Sequence, residues 1–135
     1  MTDEPSPIDV VAAVIERGDR FLLTRRLVGT HLGGYWEFPG GKCHPGEDHQ
    51  ACLAREIREE LDSGVDVGDR LLSTTYAYPE KVVALHFYAC TLHRPPRAVL
   101  GQEMRWVSRE ELEHMRLPPA DRKFVEKLRG RTADR

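Results

Sequence analysis

The stretch GKCHPGEDHQACLAREIREELDSGV, from Gly41 to Val65, decides the architecture predicted for this chain. It begins with glycines, continues through a Pro-Gly turn, and ends in a segment with helical periodicity from about Asp48 to Leu61. Apolar side chains recur along one face of that helix: Leu53, Ala54, Ile57 and Leu61. An amphipathic helix of this kind packs its apolar face against a sheet or another helix.

Three glutamates lie on the adjoining face of the same predicted helix. At 100° per residue, Glu56, Glu59 and Glu60 fall within an arc of roughly 100°. Like charges at this spacing destabilise a helix by a few tenths of a kcal/mol per pair, and Arg55 offsets only part of that repulsion. A divalent cation turns the repulsion into binding, because Mg²⁺ and Mn²⁺ accept carboxylates and carbonyls as ligands. A solvated charged face is the alternative interpretation of the pattern.

The residues before the helix favour the metal site. Phe38-Pro39-Gly40-Gly41-Lys42 predicts a tight turn in which the backbone approaches a ligand without a Cβ in the way. Pro45-Gly46 predicts a second turn. Glu47-Asp48 then place acidic residues near the positive end of the helix.

This loop and helix resemble the Nudix box: a glycine, five residues, a glutamate, seven residues, then Arg-Glu-aliphatic-x-Glu-Glu-x-Gly-aliphatic. The matching positions are Gly41, Glu47, Arg55, Glu56, Ile57, Glu59 and Glu60. The sequence departs from the box where Asp62 replaces the glycine and Ser63 replaces the aliphatic residue. Because aspartate tolerates the left-handed conformation that ends a helix, we still expect a helix C-terminus there.

The resemblance implies an α/β fold in which a mixed β-sheet is sandwiched between the box helix and a C-terminal helix. It implies metal-dependent hydrolysis of a nucleoside triphosphate to nucleoside monophosphate and pyrophosphate. The closer likeness is to MutT-type enzymes that remove modified or oxidised nucleotides, such as 8-oxo-dGTP or 5-substituted cytidine triphosphates. The implied ligands of Mg²⁺ or Mn²⁺ are the carboxylates of the box and a glycine carbonyl: Gly41 (or Gly40), Glu56, Glu59 and Glu60.

The same resemblance gives the candidate catalytic residues Glu56, Glu59, Arg55 and Glu103. The general base is expected to be a glutamate of the box helix or, as the second choice, Glu103. The spacing of Glu103 from Trp106 resembles that of a further glutamate in many Nudix enzymes, and a plain surface glutamate is the alternative. Arg55 and Glu47 are expected to brace the loop against the helix.

Six residues are candidates for substrate binding: Arg26, Phe38, Lys42, Tyr78, Lys81 and Asp121. Arg26 and Lys42 are cations suited to phosphoryl oxygens, although a surface arginine pair is the alternative for Arg26. Asp121 stands at the turn where MutT-type enzymes carry a base-reading residue, typically asparagine. An ionised aspartate only accepts hydrogen bonds, so the preferred base is open. Helix N-capping is the alternative role of Asp121.

The rest of the sequence predicts strands on both sides of the box. Apolar runs at Ile8–Glu16 and Arg20–Arg26 flank a Gly-Asp turn and predict a hairpin. Two further β-rich runs, Val67–Tyr78 and Lys81–His93, predict a longer hairpin, whose second strand alternates as if one face were buried.

Shorter elements complete the prediction. Trp36–Phe38 and Met104–Val107 are expected to be short strands, and Ser108 with Glu111 predicts a helix that begins with a capping box. The last helix is expected to begin near Pro118, with an apolar stripe that consists of Phe124, Val125 and Leu128.

Length and charge limit the function further. The 135 residues, 40% of them hydrophobic, predict one domain over 1–135, with a disordered lead-in at 1–7. A net charge of −2 lacks the basic field that binding to a nucleic-acid polymer usually needs, so a small nucleotide is the expected partner. The sequence shows no zinc-type cysteine spacing, signal pattern or membrane-length apolar run, which predicts a cytoplasmic protein with no membrane partner. The oligomeric state is open.

Two other functions stay open at this point. One is a Nudix hydrolase that acts on another diphosphate, such as ADP-ribose, a dinucleoside polyphosphate or a capped RNA end. The other is a non-catalytic nucleotide sensor on the same fold. A sensor is expected to lack the metal carboxylates, and all three are present here.

Overall fold

The computed structural model describes residues 7–133, with side chains described through residue 130. The elements are β1 (Ile8–Arg17), β2 (Arg20–Arg25), β3 (Trp36–Glu37), β4 (Gly40–Lys42), α1 (His49–Leu61), β5 (Val65–Ala77), β6 (Val82–Leu92), β7 (Met104–Ser108), α2 (Arg109–His114) and α3 (Pro119–Ala133). The expected lead-in at 1–7 lies outside the described residues, apart from Pro7.

Strand β1 organises a mixed sheet of seven strands in the described part of the chain. It runs parallel to β6, from Ile8 beside Val83 to Ile15 beside Cys90, and antiparallel to β2 and β4. The strand order is β3-β2-β1-β6-β5, with β4 also paired to β1 and β7 to β2. The predicted mixed sheet is therefore confirmed.

Alternate residues of β1 face two different cores. Ala12 and Val14 pack on the side of α3, whereas Val11, Ala13 and Ile15 pack on the side of α1. The helices contribute fully or nearly fully buried side chains to these cores: Phe124, Val125 and Leu128 from α3, and Leu53, Ile57 and Leu61 from α1. Burial of each such side chain contributes about 1.5–3 kcal/mol to the stability of the folded state. The predicted sandwich of sheet between helices is confirmed.

The prediction of one buried face for β6 was wrong. Leu85 and Phe87 belong to the α3 side, whereas Cys90 belongs to the α1 side. Both faces are covered because β6 lies inside the sheet, between β1 and β5. The antiparallel pairing of β5 with β6 confirms the predicted hairpin.

The predicted glycine turn before the box helix is instead a strand, β4. Its backbone pairs with β1, with Gly41 opposite Val11 and Gly40 opposite Ala12. A Cβ on Gly40 would lie 1.9 Å from the carbonyl oxygen of Val11. Glycine is therefore required here for close approach to β1, and the pairing brings the box loop against the middle of the sheet.

Side-chain caps fix both predicted helix starts. The Asp48 carboxylate accepts from the Ala51 N–H at 2.7 Å, and Ser108 forms the predicted capping box with Glu111. Helix α1 ends at Asp62 in the left-handed conformation, with φ 53° and ψ 46°, as expected from its position in the box. None of the helices in residues 7–133 has the length and apolar character needed to cross a bilayer.

Candidate functional site

A cleft of about 410 Å³ collects residues from β1, β4, α1, the β5–β6 turn, β6 and the start of α3. All six substrate-binding candidates line it: Arg26, Phe38, Lys42, Tyr78, Lys81 and Asp121. Gly41, Glu56 and Glu60 line it as well. Residues up to 95 positions apart in the sequence thus meet in one cleft, and their roles in binding stay predictions.

The acidic wall of the cleft consists of Glu37, Glu56 and Glu60. The Glu56 carboxylate lies over Gly41, where a Cβ would come within 2.4 Å of it. Burial raises the pKa of Glu56, and burial with the nearby charges of Glu37 and Glu56 raises the pKa of Glu60 to about 8. Three carboxyl groups therefore repel one another in a partly dehydrated space.

Glu37 is the member of this wall that sequence reasoning missed. It lies on the two-residue strand β3, and burial raises its pKa, while the adjacent Arg26 opposes that rise. A carboxylate between two aromatic residues, Trp36 and Phe38, was the available signal, because acidic residues are seldom buried without a partner.

Arg55 joins the box loop to the box helix. Its Nε and Nη2 donate to the two carboxylate oxygens of Glu47 at 2.9 Å each, and Nη2 also donates to the Lys42 carbonyl at 2.9 Å. Its Nη1 donates to Glu56 at 3.0 Å and to Glu59 at 3.3 Å. The predicted bracing contact between Arg55 and Glu47 is therefore present, and it holds the pKa of Glu47 down at about 2.

Two predicted catalytic glutamates lie outside the cleft lining. The Glu59 side chain is 57% exposed and meets Glu56 through their shared partner Arg55. Glu103 is 63% exposed, and its carboxylate accepts from Arg25 at 2.9 Å. The structure thus keeps Glu59 beside the acidic wall and places Glu103 in a separate ion pair.

Arg26 is bound to the acidic wall in this structure. Its Nη1 donates to both oxygens of Glu37, at 3.0 and 3.2 Å, and its Nε donates to the His31 carbonyl. The guanidinium therefore lies at the cleft, and part of its hydrogen-bonding capacity is already used by Glu37.

The apolar wall is centred on Phe38. Its ring packs edge-on against Phe87 and Phe124, with centroids 5.8 and 5.3 Å apart, and its backbone N–H donates to Asp121 Oδ2 at 3.2 Å. Burial and the charge of Glu37 raise the pKa of Asp121 to about 8. Asp121 is the third residue of α3, so the alternative role of N-cap is wrong.

The rim of the cleft carries the remaining candidates. Tyr78 and Lys81 close the β5–β6 turn through their backbone groups, and the Tyr78 ring meets His31 edge-on at 4.8 Å. Lys42 is exposed at the end of β4. Aromatic and cationic groups thus border an opening whose floor is apolar on one side and acidic on the other.

The NUDIX domain family model matches residues 10–127, which include the whole of the box and every residue that lines the cleft except Ile8. The chain belongs to the Nudix family. As a Nudix hydrolase it is an enzyme, and the fold and the acidic helix are those that the sequence resemblance implied.

Relatives of this Nudix hydrolase are similar over most of their length. The CTP pyrophosphohydrolase of Escherichia coli is 37% identical over 120 residues, which cover 88% of this chain and 89% of the relative. The 8-oxo-dGTP diphosphatase of Haemophilus influenzae is 33% identical over 125 residues, 90% of this chain and 92% of the relative. The crystal structure of a MutT protein from Methanosarcina mazei superposes with a TM-score of 0.85 at 28% identity, covering 98% and 99% of the two chains.

Proposed function

We propose that this Nudix hydrolase cleaves modified or oxidised nucleoside triphosphates to nucleoside monophosphate and pyrophosphate, and so removes them from the nucleotide pool. The observation that carries the proposal is one cleft with an acidic wall beside an apolar, aromatic wall. A divalent cation that carries a triphosphate suits the first wall, and a base suits the second. The names of the two bacterial relatives, a CTP pyrophosphohydrolase and an 8-oxo-dGTP diphosphatase, support this substrate class.

A divalent cation, Mg²⁺ or Mn²⁺, fits the acidic wall. The donors at and beside that wall are hard oxygens, which these ions prefer: the carboxylates of Glu56 and Glu60 in the wall, the carboxylate of Glu59 next to it, and the carbonyl of Gly41. The Glu56 carboxylate lies against Gly41 and shares Arg55 with Glu59, which places these donors next to one another between α1 and β4. When bound, the cation would neutralise phosphate charge and lower the pKa of water.

The residues of the chain supply the remaining steps. A water oxygen forms a bond to one of the two phosphorus atoms of the α–β bridge, the bridging P–O bond on that phosphorus breaks, and pyrophosphate and the monophosphate separate. We assign proton removal from the water to a glutamate of α1. Glu103 is the weaker candidate because it lies outside the cleft lining in a pair with Arg25.

Charged residues at the cleft are assigned to the phosphates. Lys42 extends from the strand that carries Gly41 and is inferred to meet phosphoryl oxygens. Arg26 is inferred to share its guanidinium between Glu37 and a phosphate oxygen, since its planar group offers five N–H donors. Arg55 positions Glu56 and Glu59 without facing the cleft.

The base is assigned to the wall formed by Phe38, Tyr78 and Asp121, with Lys81 at its edge. A carboxyl group whose pKa is about 8 is mostly protonated at pH 7, so Asp121 offers a donor as well as an acceptor. The protonated carboxyl of Asp121 can therefore both donate and accept, like the asparagine that MutT-type enzymes typically carry at this turn.

The experiment is a measurement of pyrophosphate release with Mg²⁺ from 8-oxo-dGTP, dGTP, 5-methyl-dCTP, dCTP and ADP-ribose. The expected result is a clear preference for one modified triphosphate over its unmodified form, with no hydrolysis in the presence of a chelator. No release from any triphosphate, together with AMP formation from ADP-ribose, would contradict the proposal and favour the other diphosphate substrates.

A further inference from the structure

Two histidines and an aspartate meet on the surface outside the cleft. Asp9 on β1, His49 at the start of α1 and His86 on β6 each offer one ligand atom, and these atoms all lie within 4.8 Å of one another. None of the three residues lines the cleft described above. Their donors are two imidazoles and one carboxylate, which differ in chemistry from the all-carboxylate wall of the cleft.

The strand register explains why these residues meet. Asp9 lies on the face of β1 that continues through Val11 toward α1, and His86 is the neighbour of Val11 on the parallel strand β6. The ring of His49, from the first turn of α1, lies over that of His86 with centroids 4.3 Å apart. One turn of helix and two strands are thus brought together at this point.

The hydroxyl partners of both rings are compatible with a proton on Nδ1, because a hydroxyl both donates and accepts. Nδ1 of His49 lies 2.6 Å from the Tyr88 hydroxyl, and Nδ1 of His86 lies 2.7 Å from the Ser73 hydroxyl. Without an ion, Nε2 of His86 carries a proton and donates to Asp9 Oδ1. With an ion bound, a proton on each Nδ1 would let both rings donate to these hydroxyls and leave each Nε2 lone pair for the metal. Metal-binding histidines are held in this way by a hydrogen bond from the second ring nitrogen.

The separation of one donor pair, His86 and Asp9, fits two ligands of a small ion. Nε2 of His86 lies 3.1 Å from Asp9 Oδ1. Two ligands placed about 2.0–2.1 Å from a tetrahedral zinc ion are about 3.3 Å apart.

We propose that Asp9, His49 and His86 form a transition-metal site that takes Zn²⁺ and fastens the start of α1 to β1 and β6. Imidazole and carboxylate donors select Zn²⁺ over Mg²⁺, which prefers oxygen ligands. Three protein ligands leave the fourth position for water. The proposed role of the ion is to anchor the start of α1, the helix that carries the box glutamates, since none of its three ligands lines the cleft.

Nearby charges act in both directions on such an ion. The positive end of the α1 dipole and Arg70 oppose a cation at His49, whereas the carboxylates of Asp9 and Asp48 favour it. A hydrogen-bonded cluster without metal, with a simple His86–Asp9 pair, is the competing account. Metal titration distinguishes the two.

The test is a Zn²⁺ titration of the whole protein against a chromophoric chelator, with saturating Mg²⁺ present to occupy the carboxylate wall. One Zn²⁺ per chain is expected, and Co²⁺ in its place is expected to give the visible absorption of a tetrahedral site. His86→Gln and Asp9→Asn should each weaken Zn²⁺ binding at least tenfold, and Tyr88→Phe by roughly tenfold. Asp9 is 55% exposed, so its variant tests the site even if His86→Gln does not fold.

The matched control is His93→Gln. His93 forms the same kind of pair with an exposed carboxylate, that of Asp66, at 2.8 Å, and it is not part of the cluster. Its variant is expected to bind Zn²⁺ as the parent does. Absence of Zn²⁺ binding in the presence of Mg²⁺ would overturn the proposal. So would binding that survives changes at Asp9 and His86 but is lost in Glu59→Gln.

Discussion

The carboxylate of Glu56 lies directly on Gly41, so close that a Cβ on Gly41 would stand 2.4 Å from it. Gly41 belongs to β4, which is fixed to β1, while Glu56 belongs to α1. A side chain at position 41 must therefore push the carboxylate away from the acidic wall. The absence of a side chain on Gly41 lets the Glu56 carboxylate lie against the backbone of β4.

Gly41→Ala is expected to lower kcat/KM by about 10²-fold, because a displacement of a catalytic group by about 1 Å costs that much. The flexible Glu56 side chain can move, so the melting temperature should fall only slightly. Steady-state kinetics and thermal melting measure the two effects.

The control for this change is Gly130→Ala on α3, where a Cβ meets no heavy atom within 4 Å. That variant should keep full activity and gain up to about 1 kcal/mol in stability from helix propensity. If Gly41→Ala were as active as Gly130→Ala, Glu56 would not be needed at its observed position.

Glu59→Gln should reduce turnover by about 10³-fold or more while the protein stays folded. Glu59 is 57% exposed and outside both cores, so its charge matters to the acidic wall and not to packing. Loss of a general base or of a charged metal ligand has effects of roughly this size. The measurement is kcat with saturating Mg²⁺, together with the melting temperature.

Glu103→Gln gives the informative contrast, because Glu103 is similarly exposed and similarly paired with one arginine. A few-fold loss is expected there. A larger loss in Glu103→Gln than in Glu59→Gln would move the general base to Glu103, and a loss of only a few-fold in Glu59→Gln would contradict its assignment to the metal.

Arg55→Lys should lower kcat/KM by roughly 10–100-fold, the usual cost of removing a residue that orients metal ligands. A lysine cannot donate to both carboxylate oxygens of Glu47 and also to Glu56 and the Lys42 carbonyl. The affinity for Mg²⁺, measured by activity against metal concentration, should weaken in parallel. Arg58→Lys, an exposed substitution on the same helix, should leave both quantities unchanged.

The local parts of this site could be predicted from the sequence. The helix, its caps and its glutamate face depend on spacing within a dozen residues. Asp48 begins the helix and Arg55 contacts Glu47, as that spacing predicted. The two hairpins follow from apolar runs around turn residues. Helix packing on both faces followed from the family resemblance.

The nonlocal parts could not be predicted in the same way. Glu37 lies on a two-residue strand, too short to show a period, and its charge interacts with Glu56 of α1 and Asp121 of α3, which are distant in the sequence. Gly40-Gly41 has the composition of a turn, but pairing with β1 makes it a strand. The position of Glu103 depends on the register of β7 against β2, where its carbonyl accepts from the Arg25 N–H at 3.0 Å.

Asp62→Gly should stabilise the protein by about 0.5 to 1 kcal/mol, because Asp62 ends α1 at φ 53°, where a Cβ is unfavourable. The exposed pair that Asp62 forms with Arg97 at 3.5 Å contributes little. Chemical denaturation measures the change in the free energy of unfolding. Asp62→Ala should instead destabilise the protein, and stabilisation by alanine would show that backbone strain is not the cause.

Asp121→Asn should remove a pH dependence of stability. The pKa of Asp121 is raised from an ordinary value near 3.8 to about 8, so the folded state favours the protonated carboxyl. Its contribution to stability is complete below about pH 4 and is lost as the pH rises through 8. Asparagine does not titrate and can still accept from the Phe38 N–H. The variant should therefore gain stability relative to the parent as the pH rises from 4 to 9.

The same variant tests the base wall. If Asp121 contacts the base, Asp121→Asn should change the ratio of kcat/KM between a modified purine triphosphate and a modified pyrimidine triphosphate, because the amide fixes which atom donates. Thermal melting across pH and kinetics with both substrates, at pH 7, separate the two roles. A changed pH profile with an unchanged ratio would leave Asp121 as a structural contact of Phe38 and remove it from the base site.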